Sequence, residues 1–335
     1  MTKKAILLIN VGTPDEPKVK AVRRYLRQFL NDLRVIDLPW LLQKILVNFI
    51  IVPFRAPKST QVYKQLWTDK GSPLLYYSES FKEKLQQKLG ANYNVFNAMR
   101  YGNPSINSAL EVVKSKGYER VTVLPMFPQY ASSTTGTAFE YVMKKVRKWN
   151  VIPEIRFVNE FFRNEAFISA FVNRIKQYNP EEYDYVVFSY HGLPNRHVNK
   201  THPEVLCNDC TCDEQFPKHG KYCYRASCYE TTRLLASACN IPAEKHIVAF
   251  QSRLSKDWLT PFTDKTIARL ASEGKKKVLI VAPAFVADCL ETTVELGIEY
   301  KEDFTNAGGE KLQLVDSLND MDEWVEAVEG IVIGA

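Results

Sequence analysis

The stretch Lys277-Val-Leu-Ile-Val-Ala-Pro-Ala-Phe-Val286 is an apolar run that predicts a buried β-strand. An amphipathic stretch, Asp288-Cys-Leu-Glu-Thr-Thr-Val-Glu-Leu-Gly-Ile-Glu299, follows almost directly and predicts a helix. The same succession of a short apolar run and a longer helical pattern recurs along the whole chain. Strands that alternate with helices predict parallel, doubly wound α/β sheets. The expected fold class is therefore α/β.

The predicted strands divide evenly between the two halves of the chain. They cover residues 5–10, 94–99, 121–126, 154–158, 185–189, 246–249, 277–282 and 311–315. Helical patterns between them cover residues 80–89, 106–115, 138–148, 165–176 and 229–239. We therefore expect two doubly wound domains, residues 1–165 and 166–335. No strand is followed by the three-glycine spacing of a dinucleotide site.

Polar motifs follow the predicted strands in both halves. They are Asn10-Val-Gly-Thr-Pro14, Arg100-Tyr-Gly-Asn-Pro104, Pro128-Gln-Tyr-Ala-Ser-Ser-Thr-Thr-Gly136, Ser189-Tyr-His-Gly-Leu-Pro194 and Phe250-Gln-Ser-Arg253. Doubly wound sheets bind ligands beyond the carboxyl ends of their strands. The motifs of both halves are therefore expected to face one active-site cleft between the domains.

A row of carboxylates in the stretch 288–299 is the first candidate for chemistry. Its members, spaced by three, four and four residues, are Asp288, Glu291, Glu295 and Glu299. These spacings keep side chains on one helix face, where like charges repel. A solvated acidic face is one interpretation. The other is a buried row that handles a metal ion or protons, favoured by the apolar residues in between, Leu290, Val294, Leu296 and Ile298.

His191 and the cysteines are the other candidates. His191 lies in a Gly- and Pro-containing loop at a strand end, where it is either structural or a base or metal ligand near neutral pH. A nucleophile pair of His191 with Cys289 ranks lower, because it leaves the carboxylates unexplained. Asp288, at the strand end, is better explained as a structural helix cap than as a chemical group.

Five of the seven cysteines fall in a loop-like insertion at about residues 202–228. They are Cys207, Cys210, Cys212, Cys223 and Cys228. The sequence lacks the pattern of a signal peptide, so a secreted disulfide framework is not expected. Four thiolates could hold zinc or a [2Fe–2S] cluster, and His202 and His219 are close enough in sequence to compete as ligands. Scattered free thiols are the alternative.

Composition limits the classes of function. The formal net charge of +6 over 335 residues is too diffuse to indicate nucleic-acid binding but is compatible with an anionic small molecule. The most apolar window, residues 35–54, is interrupted by polar and proline residues and does not read as a spanning helix. It predicts either a core helix or an exposed apolar lip. We expect a cytoplasmic protein, with peripheral contact at the inner membrane face allowed, and the oligomeric state is left open.

Taken in order, these motifs resemble those of the ferrochelatase family over almost the whole chain. Gly71-Ser-Pro73 and Phe285-Val-Ala-Asp-Cys-Leu-Glu-Thr292 extend the match. The resemblance implies two doubly wound domains with a porphyrin cleft, and a lyase that inserts Fe²⁺ into protoporphyrin IX to give heme b with release of two protons. The coproporphyrin III enzyme, a cobalt or nickel chelatase for another tetrapyrrole, and a non-catalytic heme- or metal-binding protein are the alternatives.

The resemblance also implies roles for individual residues. His191 and Glu291 are the expected catalytic pair at the Fe²⁺ substrate, with Glu295 and Glu299 forming a path for protons or metal. The porphyrin lip is expected at about residues 35–75. Porphyrin-binding candidates are Arg55, Lys58 and Ser72 for the propionates, and Tyr101, Gln129 and Tyr130 for the cleft wall.

Departures from the family pattern refine these expectations. Cys289 stands where many members have histidine, which removes a second histidine from the site. Val11 stands where coproporphyrin-using members tend to have tyrosine, which favours protoporphyrin IX. The cysteine-rich insertion resembles an internal [2Fe–2S] site of some bacterial members, with zinc as the alternative. Four of its five cysteines are expected to be ligands, and Cys210 is the one we would omit.

Overall fold

The computed structural model describes residues 3–202, 204–218 and 220–334. The chain forms two compact units. Unit 1 consists of the described residues of Met1–Phe127, Ser132–Asn159 and Asp320–Ala335. Unit 2 consists of those of Pro128–Ala131 and Glu160–Asn319.

Each unit contains a four-stranded parallel sheet in the described part of the chain. Unit 1 holds β1 (Lys4–Asn10), β2 (Tyr93–Met99), β3 (Arg120–Pro125) and β4 (Glu154–Phe157) in the order β2-β1-β3-β4. Unit 2 holds β5 (Tyr185–His191), β6 (His246–Gln251), β7 (Lys277–Val281) and β8 (Lys311–Leu314) in the order β6-β5-β7-β8. The two sheets thus share one strand order. The predicted strands and the α/β class are confirmed, with strand ends shifted by a few residues.

Helices connect and cover these strands. In unit 1 they are α1 (Val19–Leu30), α2 (Trp40–Ile45), α3 (Val52–Leu66), α4 (Pro73–Leu89), α5 (Ile106–Lys116), α6 (Thr137–Val146) and α12 (Asp322–Ile333). In unit 2 they are α7 (Glu165–Lys176), α8 (Asn195–Asn199), α9 (Tyr224–Ala238), α10 (Thr263–Ser272) and α11 (Tyr300–Asn306). π-Helical segments cover Leu46–Ile51, Ser132–Gly136 and Glu291–Glu299.

The cores form because the central strands are apolar on both faces, as parallel strands covered by helices require. On one side of the first sheet, Leu7 and Val123 pack with Leu110 of α5 and Val142 of α6. In unit 2, the corresponding layer includes Ile280 and buried side chains of α10 and α11. These cores hold the strand ends, and hence the polar motifs, in fixed positions.

Two loops that follow β1 and β2 are locked together in unit 1. The amide nitrogens of Arg100 and Tyr101 donate to the carbonyl oxygens of Asn10 and Val11 at 2.8 and 3.0 Å. Gly12 has a φ of +107°, and a Cβ there would lie 1.8 Å from the carbonyl oxygen of Tyr101. Only glycine allows this approach.

The observed division of the chain differs from the expected one at residues 165 and 166, and besides the assignment of Pro128–Ala131 to unit 2 there are two differences. The change from unit 1 to unit 2 falls at residues 159 and 160, and α12 belongs to unit 1 rather than to the second half. The reason is packing: the buried ring of Trp324 on α12 lies 5.8 Å from that of Phe81 on α4. The first unit is therefore discontinuous in sequence.

The apolar window at residues 35–54 is largely exposed. It forms α2, the π-helix Leu46–Ile51 and the start of α3. Val47 and Val52 are buried, but a group of large apolar side chains is open to solvent: Trp40, Leu41, Leu42, Ile45, Phe49, Ile50 and Phe54. We call these seven residues the apolar ridge. Its exposure agrees with the lip interpretation and not with a core helix. In the part of the chain that the structure describes, no helix combines the length and apolarity needed to cross a membrane.

Candidate active site

The carboxylate row lies on a π-helix, Glu291–Glu299, and not on the α-helix that its spacing predicts. Its i→i+5 hydrogen bonds widen the turn, a geometry that often accompanies functional sites. The row is only partly buried. Val294 and Leu296 are fully buried, but Ile298 and Glu299 are exposed, so the expected burial does not extend to the outer end of the row.

Asp288 has a structural role at the beginning of this segment. Its carboxylate accepts hydrogen bonds from the side-chain amide of Asn319 at 2.7 Å and the backbone nitrogen of Ser317 at 3.2 Å. The backbone nitrogen of Asp288 donates to the Oδ1 of Asn319 in return. Asp288 therefore ties the loop before the π-helix to the loop after β8, instead of capping the helix.

His191 ends strand β5 and presents a defined tautomer. Its Nδ1 lies 2.6 Å from the carbonyl oxygen of Gly192, which can only accept, so Nδ1 carries the hydrogen. In the neutral imidazole the lone pair is therefore on Nε2, the nitrogen available to take a proton or a metal ion. The backbone oxygen of His191 accepts a hydrogen bond from the hydroxyl of Tyr224 at 2.9 Å. The indole of Trp258, which sequence reasoning missed, lies 6.5 Å from the imidazole between ring centroids.

Gln251 connects the histidine strand to the carboxylate row. It is paired in register with His191, and its carbonyl oxygen accepts from the nitrogen of Gly192 at 2.8 Å. Its Nε2 lies 3.2 Å from the backbone oxygen of Glu291 and 3.4 Å from the carboxylate of Glu295. The hydroxyl of Ser189 donates to its Oε1 at 2.7 Å, which fixes the orientation of the amide.

No hydrogen bond or ion pair joins His191 to Glu291 among the described residues. Instead, the two positions are related through Gln251, which contacts the backbone of both segments. Glu291 is half-buried and begins the π-helix. Among the three glutamates of the row, Glu291 is the nearest in sequence to the end of β7.

Glu295 is held by donors on both carboxylate oxygens. The backbone nitrogen of Ser252 and the hydroxyl of Tyr300 donate to Oε1 at 2.8 and 2.9 Å. The hydroxyl of Ser252 makes a short hydrogen bond to Oε2. Ser252 adopts a φ of +62°, a left-handed conformation that is uncommon for a residue with a side chain and is often kept at functional sites.

Two neighbours of Glu295, Tyr300 and Glu299, have raised pKa values. Burial, followed by the charge of Glu295 and its hydrogen bond, raises the pKa of Tyr300 far above its usual range, so its hydroxyl remains a donor. Burial and then repulsion by Glu295, Asp303 and Glu302 raise the pKa of Glu299. Tyr300 directly follows the row in sequence, but the spacing of the carboxylates gave no reason to select it.

The porphyrin candidates of unit 1 have unequal access to solvent. Arg55 and Lys58 are exposed on α3, beside the apolar ridge. Ser72 is only 1% exposed and donates to the hydroxyl of Thr13 at 3.3 Å. Tyr101 is also 1% exposed, and its hydroxyl donates to Asp32 at 2.9 Å. Ser72 and Tyr101 therefore have little free surface in unit 1.

The remaining two candidates belong to unit 2. Gln129 is buried, and its amide donates to the hydroxyl of Thr231 on α9 at 3.0 Å. Tyr130 is half-buried and stacks edge-on with Tyr222, with 5.6 Å between ring centroids. Tyr222 belongs to the cysteine-rich insertion, and Thr231 follows that insertion by three residues. Gln129 and Tyr130 therefore contact residues in or beside the insertion.

The five cysteines of the insertion are buried, and their thiols influence one another electrostatically. Burial raises the pKa of Cys207 to about 12 and that of Cys223 to about 11, and neighbouring cysteines add to both shifts. Arg225 donates to the Sγ of Cys212 at 2.7 Å and to the carbonyl oxygen of Cys210 at 2.9 Å. The backbone nitrogen of Ala226 donates to the Sγ of Cys223 at 3.4 Å, at the beginning of α9.

Within residues 3–202, 204–218 and 220–334, no three His, Cys, Asp or Glu side chains are arranged to hold a metal ion. The donor set nevertheless suits a soft metal, because thiolates are the preferred ligands of zinc and iron–sulfur clusters. The N–H donors to Cys212 and Cys223 would stabilise thiolate charge. His202 is buried and bonds the carbonyl of Val205 through Nδ1, and His219 lies outside the described residues.

Comparison with solved structures identifies the fold. SirB from Bacillus subtilis, solved with Fe³⁺, aligns with 99% of this chain and 94% of its own at a TM-score of 0.56 and 12% identity. A cobalt complex of the sirohydrochlorin chelatase SirB from Bacillus subtilis subspecies spizizenii covers 97% of this chain and 92% of its own, with a TM-score of 0.52 and 13% identity. These values show a shared fold. The protein is therefore of the chelatase fold, with a histidine and carboxylates at the strand ends of its second sheet.

Sequence comparison gives the family. The ferrochelatase family model matches residues 3–335. A ferrochelatase of Legionella pneumophila strain Lens is 44% identical over 98% of both chains, and one of Coxiella burnetii strain Dugway is 43% identical over 97% of this chain and 92% of its own. The chain belongs to the ferrochelatase family, which consists of lyases that insert metal into porphyrin in heme synthesis. The expected family, fold and reaction class are confirmed.

Proposed function

We propose that the protein inserts Fe²⁺ into protoporphyrin IX, giving heme b and two protons, with His191 and Glu291 as its catalytic residues. The observation that carries this proposal is the tautomer of His191, which leaves the Nε2 lone pair free at a strand end joined by Gln251 to the carboxylate row. Insertion must remove two pyrrole protons and deliver a divalent cation. An imidazole near neutral pH serves as base or ligand, and carboxylates suit partly hydrated Fe²⁺.

Each glutamate of the row has a different role in this proposal. Glu291, at the beginning of the π-helix, is the first carboxylate to meet the metal or a proton. Glu295 is held in a fixed position, because Ser252 and Tyr300 donate hydrogen bonds to its two oxygens. Glu299 is exposed and has a raised pKa, so it exchanges protons or hydrated metal with solvent. Together they form a path from the histidine strand to the surface of unit 2.

The test is anaerobic Fe²⁺ insertion by the wild type, His191→Ala and Glu291→Gln. Removal of a general base or a metal-binding carboxylate is expected to lower turnover by about 10²-fold or more. His246→Ala and Glu111→Gln are matched controls that lie outside the site and should retain turnover. Retained activity in both His191→Ala and Glu291→Gln would overturn the residue assignment.

The same assay separates the alternatives. The rates of Fe²⁺ insertion into protoporphyrin IX and into coproporphyrin III show which porphyrin is the substrate. Val11 favours protoporphyrin IX. Co²⁺ or Ni²⁺ with another tetrapyrrole tests a different chelatase. A non-catalytic binding protein would bind heme or metal without turnover in any arm, and substitution of His191 would weaken only binding.

We also propose that four of Cys207, Cys210, Cys212, Cys223 and Cys228 hold a [2Fe–2S] cluster with a structural or sensory role. The buried thiols and the donors Arg225 and Ala226 support this proposal. Visible absorption and iron and sulfide content of anaerobically purified protein test it. Cys212→Ser should lose the chromophore, whereas Cys239→Ser, outside the insertion, should keep it. A colourless protein that contains zinc would contradict the cluster.

Arg55, Lys58 and the apolar ridge support a third proposal, that unit 1 carries the porphyrin lip and touches the inner membrane face of a cytoplasmic enzyme. Phe49 and Phe54 are each 74% exposed. Phe54→Ser should reduce flotation of the protein with vesicles, whereas Val151→Ser, which removes an even more exposed apolar side chain outside the ridge, should not. Equal flotation of all three proteins would exclude membrane contact through the ridge.

A further inference from the structure

A cavity of about 520 Å³ in unit 1 is lined by more positive charge than its carboxylates can neutralise. Its cationic side chains are Lys44, Arg100, Lys144, Lys145 and Lys148, and its acidic ones are Asp32 and Glu140. The volume lies in the range of sites for small ligands. None of the residues proposed for iron insertion or porphyrin binding lines it.

Both carboxylates are already engaged. Asp32 accepts from Arg100 at 2.5 Å and from the hydroxyl groups of Tyr101 and Thr137. Glu140 precedes Lys144 by four residues, the favourable spacing for a helical ion pair, but its carboxylate contacts Arg34 instead. Within the part of the chain that the structure describes, the four lysines of the cavity therefore have no carboxylate at ion-pair distance.

The unpaired ammonium groups come from two different elements. Lys144 lies near the end of α6 and Lys148 in the turn that follows it, and both are exposed. Lys44 approaches from α2, and its Nζ donates to the Oδ1 of Asn31 at 3.0 Å. Lysines reach this cavity both from α2 and from the region of α6. A solvated face of one helix would explain a single row of lysines, but it would not explain two groups that meet.

Two aromatic side chains also line the cavity. Trp40 of the apolar ridge is 62% exposed and lines the cavity, as does Tyr141. The Nζ of Lys145 lies 5.4 Å from the centroid of the Tyr141 ring. A ligand here would meet both cationic and aromatic side chains.

We propose that this cavity binds an anion that carries phosphate groups and at least two negative charges. Lysine ammonium groups bind phosphate as compact point charges with several donors, and their number matches a diphosphate better than a single carboxylate. The same chemistry is found in a soluble diphosphate and in the headgroup of a phospholipid with two phosphate groups, whose acyl chains would lie along the apolar ridge beyond Trp40.

The soluble ligand is tested by calorimetric titration of the full chain with inorganic pyrophosphate at low salt. Each lysine near a phosphate contributes about fivefold to affinity, so Lys144→Gln/Lys148→Gln should bind at least about tenfold more weakly than wild type. Lys114→Gln/Lys116→Gln removes the same charge from exposed positions of α5 and should bind like wild type. Thermal unfolding of both variants confirms that they are folded.

The lipid headgroup is tested by sedimentation with phosphatidylcholine vesicles, with and without cardiolipin, whose headgroup carries two phosphates. A selective loss of binding to the anionic vesicles in Lys144→Gln/Lys148→Gln assigns the cavity to a lipid, and a selective loss of pyrophosphate binding assigns it to a soluble ligand. The proposal is overturned if wild type binds neither probe, or if both double variants weaken binding equally, since only diffuse charge would then be acting.

Discussion

The hydroxyl of Tyr224 donates a hydrogen bond to the backbone oxygen of His191 at 2.9 Å. Tyr224 begins α9, directly after Cys223, and its hydroxyl also interacts with the thiol of Cys228. One buried side chain therefore touches both the proposed catalytic strand and the cysteine-rich insertion. A change in the insertion can reach His191 through this contact.

Tyr224→Phe removes only the hydroxyl. It leaves the oxygen of His191 without its buried donor, which should lower the free energy of unfolding by about 1–3 kcal/mol. The displaced strand end should also slow iron insertion by about tenfold. Denaturant unfolding and anaerobic turnover measure both effects. Tyr222→Phe is the matched control, since Tyr222 is 37% exposed, and an equal effect of the two substitutions would refute the role of the contact.

The position of Glu295 should depend on Tyr300 and Ser252. Tyr300→Phe removes a hydrogen bond to a charged group and should cost about 1.5–3 kcal/mol of stability. If Glu295 serves the iron path, kcat should fall while the KM for porphyrin stays nearly constant. Tyr185→Phe, which loses a hydrogen bond to the backbone of His246, should leave kcat unchanged. A matching loss of kcat in that control would show a general effect of stability.

Glu299 should make stability depend on pH in a defined direction. Burial and repulsion by neighbouring carboxylates raise its pKa in the folded protein above 4.5, so its ionised form destabilises the fold. Below pH 4.5 the residue is protonated in both states and costs nothing, and the cost appears as pH rises through the raised pKa.

Glu299→Gln should therefore raise the melting temperature at pH 7, and this gain should vanish as the pH falls below 4.5. The gain should be at most about 0.5 kcal/mol, because the side chain is exposed and screened by solvent. Glu111→Gln on α5 is the control for removal of a surface charge. A gain that grew on acidification would contradict the assigned direction of the pKa shift.

Two ion pairs of unit 1 offer a direct comparison of burial. The side chains of Arg100 and Asp32 are 17% and 8% exposed, whereas those of Arg120 and Glu154 are 46% and 61% exposed. Asp32→Asn leaves a buried guanidinium without its counter-charge and should cost about 3–5 kcal/mol. Glu154→Gln should cost less than about 1 kcal/mol. Denaturant unfolding of the two variants tests the difference, and similar losses would show that the buried pair is not structural.

The strands were predictable because parallel strands covered on both faces are continuous apolar runs, as in residues 277–281. His191 and the carboxylates were singled out by their position at strand ends and their spacing. The π-helix was not predictable, because residues spaced by four have the same sequence pattern in an α-helix. Exposure of Glu299 and Ile298 followed from that wider turn and from the end of the core.

Other features depend on contacts between distant residues. The placement of α12 in unit 1 rests on Trp324 against Phe81, and the holding of Glu295 rests on Ser252 and Tyr300. A single sequence contains no record of such pairs. The cation-lined cavity was likewise not predictable, since Lys44 and Lys148 are far apart in sequence and line one cavity only in the folded protein.

The position of α12 has a consequence for biosynthesis. Its contacts in unit 1 include Lys84 with Asp322 at 2.9 Å, Lys88 with Glu326 at 2.8 Å, and the guanidinium of Arg156 with the carbonyl oxygens of Ile331 and Val332. On the ribosome, residues 160–319 are translated before α12. Lys84, Lys88 and Arg156 therefore have no α12 partners until unit 2 has been synthesised. The first unit to be synthesised is thus the last to complete its core, and nascent chains arrested before α12 should expose the α4 surface to chaperones even when unit 2 is already native.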